Sequence, residues 1–195
     1  MLLGIAMVAG AAALLWQNRT LEQQAGESAD MVLEVLTQSV PAAQAVIVPE
    51  TVSPVQTEIP EEMYALPVDG NSYIGYLELP TIGLTLPVMS DWSYAKLRVA
   101  PCRYAGTAFG DDLVIMAHNY DRHFGRIALL KEGDPVQFVD AQGNIHRYVV
   151  SEQEQLGKYD IDEMVNADWD LTLFSCTYGG RSRVTVRLTR VLGYE

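Results

Sequence analysis

The chain has 195 residues, of which 49% are hydrophobic, and a formal net charge of −12. That length suits one domain plus an appendage, and the apolar content is ample for a core. Such acidity argues against a nucleic-acid partner, which would need a basic face. The 2 cysteines cannot form a disulfide framework, so folding rests on the core.

The opening stretch, MLLGIAMVAGAAALLW, is uninterrupted apolar sequence. It is short against the ~20 residues of a membrane span, but tilt or a thin bilayer accommodates the difference. No positive region precedes it and no clear A-x-A site follows, which argues against a cleaved signal. Residues 1–19 are therefore expected to form a single membrane anchor. Leu21, Ala25, Ala29, Val32, Leu36 and Val40 then recur at three- and four-residue steps, the spacing of a helix, and Pro41 ends it. Pro41, Pro49, Pro54, Pro60 and Pro67 follow among Val, Thr and Glu. Acidic residues run from Glu22 to Asp69 with no Lys or Arg after Arg19. Residues 20–70 thus read as a juxtamembrane helix and a semi-extended, solvated linker making few contacts with the rest.

From about Asn71 the texture changes to short strands punctuated by turns. SYIGYLELP alternates and closes on Pro80, and LTLPVM is a second short strand. LVIMAH is a continuous apolar run, as expected of a strand covered on both faces. FGRIALLKEGD carries a helical turn or two. PVQFVD, a QGN turn and IHRYVVSEQEQL make a hairpin, and WDLTLFSC with RVTVRLTRVL forms the last pair. The expected fold of residues 71–195 is mainly β: a closed or nearly closed eight-stranded barrel with short helices.

The chemistry gathers at strand ends. Cys176 closes the apolar strand Leu171 to Ser175 ahead of Gly179-Gly180, where a rim thiol can react; free cysteine is also among the most buried residue types, so position alone leaves both readings open. His118 closes another apolar strand and enters the polar loop NYDRHFG. A Cys-His pair is the usual source of a reactive thiolate. His123 in that loop and His146 in the hairpin are more ordinary histidines. Arg181, Arg183 and Arg187 share one parity and hence one face of a regular strand. Beside a nucleophile, a guanidinium is a permanent donor for oxyanion charge. Arg183, at the strand start nearest Cys176, is the expected one. No zinc-ligand spacing, phosphate loop or G-x-S-x-G occurs, so no cofactor is expected. Glu152, Glu154, Asp160, Asp162 and Glu163 are possible oxygen ligands for calcium, but read more simply as loop charge.

Taken together, YIGYLELPTIGLTLPV, YAGTAFGDDLVIMAHNY, FGRIALLKEGDPVQF, LTLFSC and RVTVR resemble, in order, the conserved segments of the sortases, cysteine transpeptidases anchored to bacterial membranes. The resemblance covers roughly residues 72–192. It implies His118, Cys176 and Arg183 as the catalytic His, Cys and Arg, and Ser175, Thr172 and Asn119 as substrate-binding neighbours. Ser175 stands where the family usually has Thr, and Ala117 where it commonly has Gly. Some fifteen residues separate RYVV from LTLFSC, too few for the long insertion of class B. The Asp91-Trp92 pair follows the second strand, so it does not look like the N-terminal lid of class C. A class A-like or D-like enzyme fits best. The resemblance implies attack on an LPxTG-like sorting signal, a thioacyl intermediate on Cys176, and transfer to an amine of the cell wall or another protein. The partners would be surface proteins carrying that signal, an amine acceptor and the membrane. A cysteine hydrolase without transfer and a non-catalytic wall-binding β domain are the alternatives.

Overall fold

The computed structural model describes residues 2–39, 62–165 and 168–191. Most of the expected 41–67 linker lies outside the described residues. Among the described residues nine strands form one sheet: β1 (Leu66–Val68), β2 (Asn71–Leu79), β3 (Leu84–Met89), β4 (Cys102–Ala105), β5 (Leu113–Ala117), β6 (Pro135–Asp140), β7 (Ile145–Gly157), β8 (Leu171–Cys176) and β9 (Ser182–Arg190). Their order is β1-β2-β3-β4-β5-β8-β9-β7-β6, and a second pairing of β2 with β6 closes the sheet into a barrel. β2 to β9 supply its eight strands, and β1 is a short addition outside the closure. The mainly-β barrel expected from the sequence is therefore present.

Inward alternation builds the core. Leu77, Leu79, Leu86, Val88, Leu113, Ile115, Phe138, Leu171, Leu173, Val186 and Leu188 fill the barrel, each nearly or wholly buried. β5 and β8 run parallel, whereas β8 and β9 are antiparallel neighbours across a tight turn. Two strands escaped the sequence reading. β1 pairs with β2 through Asp69 and Gly70, both at positive φ (48° and 76°), the geometry an Asp-Gly hairpin turn favours. β4 is only four residues long and meets β3 through a single residue pair, leaving too little alternation to detect.

The N-terminal region departs from its expected form. One continuous helix, α1 (Leu2–Ser39), covers both the apolar stretch and the expected juxtamembrane helix. Among the described residues no helix is long and apolar enough to cross a membrane. The expectation of few contacts with the barrel is also overturned. Ala25, Ala29, Val32 and Leu36 are buried, and Val32 and Leu36 join Tyr73, Met89, Leu97, Ala100 and Cys102 in a cluster outside the barrel. The predicted helical stripe is real, although Leu21 on it remains exposed. The stripe is buried because β2, β3 and the chain between β3 and β4 offer it apolar side chains. Past the undescribed segment, Met63 re-enters the barrel core, so the end of the expected linker packs as well.

Leu36 is fully buried in this cluster. Leu36→Ala is expected to lower the unfolding free energy by about 3 kcal/mol, measured by urea denaturation. A loss below ~0.5 kcal/mol, the level of an ordinary surface change, would mean that the helix does not depend on this contact.

Candidate active site

Three strand ends meet at one rim because their registers are fixed. In β5 and β8, Val114 pairs with Thr172, Met116 with Phe174 and Ala117 with Ser175. In β8 and β9, Thr172 pairs with Arg187, Phe174 with Thr185 and Cys176 with Arg183. Side chains alternate along a strand, and opposed residues share a face. Leu171, Leu173, Val186 and Leu188 take the inner face, so the other parity faces outward in ordered rows. Val114, Thr172 and Arg187 form one row; Met116, Phe174 and Thr185 the next. Cys176 and Arg183 form the last, with His118 immediately beyond the end of β5. The structure thus brings the three sequence-predicted catalytic residues together.

Each member of this last row is accessible. Cys176 is a free, partly buried thiol, whereas Cys102 is free but sealed in the cluster beneath α1, and burial pushes its thiol up to about 12. His118 is partly buried; burial first, and the positive charge of Arg98 second, hold its imidazole below the ordinary histidine value. His118 is therefore neutral near pH 7 and able to accept a proton. Arg183 donates through Nη1 to the carbonyls of Gly180 (3.3 Å) and Ser182 (3.1 Å), which tie its guanidinium to the turn beside Cys176. Arg181 is exposed.

Arg187, of the same parity, has a different role. Only 2% exposed, it donates to Glu154 Oε1 (2.6 Å), Thr172 Oγ1 (2.9 Å), Glu163 O (2.7 Å) and Met164 O (3.2 Å). The last two carbonyls belong to α2 (Ile161–Val165), a short helix absent from the sequence reading. Glu154, one of the loop carboxylates considered for calcium, is engaged by this arginine. Among the described residues no group of His, Cys, Asp or Glu is arranged to hold a metal ion.

The expected substrate-binding residues occupy unlike places. Asn119 is partly buried beside His118. Ser175 is 3% exposed and donates to the Phe124 carbonyl (3.3 Å), joining the end of β8 to the loop that follows His118. Thr172 is 2% exposed and holds Arg187. The sequence reading missed a buried apolar cluster between the outer face of the sheet and α2: Val114, Leu156, Met164 and Phe174, with Met116, Tyr104 and Val165 packed against them. The continuous apolar run LTLFSC carried no sign of which residues face outward. The Asp-Trp pair, which does not resemble a lid, lies near this cluster, for Trp92 packs on Tyr104 at 5.7 Å and Tyr104 on Phe174 at 5.4 Å.

The loop carrying His118 is held from several sides. Phe124 N donates to His118 O (3.1 Å), and the ring of Tyr120 lies 4.9 Å from that of His118. Gly125 has no room for a side chain, since a Cβ there would lie 2.7 Å from the carbonyl oxygens of both Asn119 and Tyr120. From α1, Glu22 accepts from Asp121 N, and Asp30 Oδ2 lies 2.5 Å from Arg122 Nη2. Two acidic residues that read as solvated charge are thus used as loop contacts. His146 lies elsewhere and is structural: its Nδ1 accepts from Arg190 (3.0 Å), leaving Nε2–H to donate to Asp140 (3.2 Å).

The sortase domain model matches residues 77–191, and the chain belongs to the sortase family, whose members are cysteine transpeptidases. Sortase C from Clostridium perfringens SM101 is 28% identical, with a TM-score of 0.54 over 62% of this chain and 71% of that one. Sortase C1 from Streptococcus suis is 27% identical, TM-score 0.56, over 63% and 74%. Sortase A from Corynebacterium diphtheriae is 25% identical, TM-score 0.56, over 64% and 63%. Among curated proteins none matches the chain.

His123 provides a test of the packing around this loop. It is fully buried without a hydrogen-bond partner for either ring nitrogen, and burial, reinforced by His118, pushes it down to about 4. An unfolded histidine titrates near 6.5, so between pH ~6.5 and ~4 the unfolded chain binds the extra proton and stability falls with the pH. His123→Phe is expected to remove this contribution, worth up to ~3 kcal/mol at pH 4. Thermal unfolding followed across that range measures it. An unchanged pH slope in the variant would show that His123 is not held neutral.

Proposed function

We propose that the protein is a sortase-type transpeptidase that cleaves an LPxTG-like sorting signal and transfers the acyl portion to an amine of the cell wall or another protein. The observation that carries this reading is the single outward row of His118, Cys176 and Arg183 across three adjacent strand ends. A peptide carbonyl placed over Cys176 has a neutral imidazole on one side and a fixed guanidinium on the other.

The chemistry follows from that order. Cys176 gives up its proton to His118 and attacks the scissile carbonyl. Arg183 stabilises the oxyanion, a role in which a donor already held in place loses little to reorganisation. His118 then returns the proton to the leaving amine, and a thioester remains on Cys176. The acceptor amine reverses the sequence. Asn119, beside His118, is proposed to contact the substrate. Ser175 and Thr172 would serve it only indirectly, by holding the His118 loop and Arg187.

A membrane location with an extracytoplasmic barrel belongs to the same proposal. It is supported by the exposed apolar side chains Met7 (71%), Leu14 (68%) and Trp16 (71%) on the N-terminal half of α1.

Mass spectrometry of products from a panel of pentapeptide signals with an added amine tests the reaction. Ligated product that disappears in Cys176→Ala is the expected result; hydrolysed product alone, unchanged by the amine, would make the protein a hydrolase. Arg183→Lys is expected to lose roughly a hundredfold in rate, about 3 kcal/mol of transition-state stabilisation, because an ammonium lacks the planar fork. Arg181→Lys should stay near wild type. The reverse order in measured rates would transfer the role to Arg181.

A further inference from the structure

Against the loop of His118, the helix α1 and the chain between β3 and β4 leave a groove of about 350 Å³ lined by Leu21, Gln24, Ala25, Ser28, Arg98 and Tyr120, among others. Its surface is mostly apolar. Tyr120 forms one wall and stacks on His118, and the charge of Arg98 reaches that imidazole. Strand order puts β5 and β9 on opposite sides of β8, so this groove meets the site from the His118 side, away from Arg183. Arg98 is exposed and makes no ion pair among the described residues, in a chain whose net charge is −12. Neighbouring cations do find partners: Lys96 pairs with Asp91 and Arg122 with Asp30.

We propose that this groove is the subsite for the amine acceptor, and that it takes a short peptide with apolar side chains and a free C-terminal carboxylate. The proposal rests on the transpeptidase reading above. The leaving amine takes its proton from His118 and so departs on the His118 side, and an acceptor amine that gives its proton to His118 approaches from that same side. There the acceptor nitrogen attacks the thioester carbonyl, the C–N bond forms, the C–S bond breaks, and the amine proton passes to His118 and on to the departing Cys176 sulfur. Atoms and charge balance without a further reactant. Arg98 contributes in two ways: it pairs with the acceptor carboxylate, and its positive field favours the neutral, nucleophilic form of a nearby amine over the ammonium. Leu21, Ala25 and Tyr120 bury the apolar portion.

The test separates the two half-reactions, using the full chain with trialanine and its C-terminal amide as acceptors. Thioester formation on Cys176 from a signal peptide is followed by mass spectrometry, and ligation is followed as a function of acceptor concentration. The wild type is expected to use trialanine with about fivefold lower KM than the amide, the effect of one partly exposed charge pair. Arg98→Gln should abolish that preference and leave thioester formation unchanged, and Arg98→Lys should restore part of it. Binding is read independently of catalysis from chemical-shift changes at Tyr120 and Ser28 on titrating trialanine into wild type and Arg98→Gln. Equal use of both acceptors, shift changes that survive Arg98→Gln, or a loss in thioester formation matching the loss in ligation would overturn the proposal. Absence of any thioester in the wild type would instead overturn the transpeptidase reading, while the titration still decides the groove.

Discussion

The site depends on strand register. A one-residue slip of β8 against β5 or β9 would turn Cys176 into the barrel and Ser175 outward, because side chains alternate with a period of two. The slip is prevented by the interior, where Leu171 and Leu173 of β8 pack with Val186 and Leu188 of β9 and Leu113 and Ile115 of β5. β8 pairs with both neighbours without a bulge, whereas β7 and β9 shift register between Val150 and Glu152. Irregularity is tolerated away from the site and absent across it. The apolar core is thus what sets the spacing of thiol, imidazole and guanidinium.

Below that row, a second arginine shows how burial sorts chemically identical residues. A guanidinium removed from water is costly unless its donors are matched. Arg187 meets that condition with a carboxylate, a hydroxyl and two helix carbonyls, and in doing so anchors α2 over the outer face of the barrel. Arg183, four residues away on the same face, bonds only two backbone carbonyls of its own turn and retains donors for another oxygen. One arginine is consumed by the fold and the other keeps donors at the barrel rim. The difference lies in what covers each position, not in the strand that carries them.

That distinction marks how far the sequence could be read. The barrel, and the placing of Cys176 and His118 at strand ends, were legible because apolar runs and turn residues are local signals. The burial of Arg187 was not, since it requires α2, whose five residues carry no extended periodicity. The helical stripe of α1 was visible from Ala25 to Leu36, but a stripe does not name its partner, and an acidic, proline-rich setting pointed to solvent. β1 failed for a different reason: its Asp-Gly turn was a usable signal, passed over because the three-residue strand before it was too short to register. His123 looked like an ordinary loop histidine because nothing local reveals that Tyr120 and the turn around Gly125 fold the loop over it.

Docking of α1 changes what the N-terminal region can do. A solvated tether would leave the barrel free to rotate about its attachment. Instead, one helix of 38 residues, about 57 Å long at 1.5 Å per residue, exposes Met7, Leu14 and Trp16 toward its N-terminus and seats its C-terminal half on the barrel. Its seat includes the loop of His118, through Glu22 on Asp121 and Asp30 on Arg122. At Gly26 the Arg122 side chain lies directly against the helix, and a Cβ there would push the far end of that flexible arginine aside. The exposed Asp30–Arg122 pair is itself worth no more than ~1 kcal/mol; the buried stripe does most of the fastening, and the charges select where along the helix the loop sits. The helix therefore has a set direction relative to the His118 loop, and whatever Met7, Leu14 and Trp16 rest against is held in a set orientation to that loop.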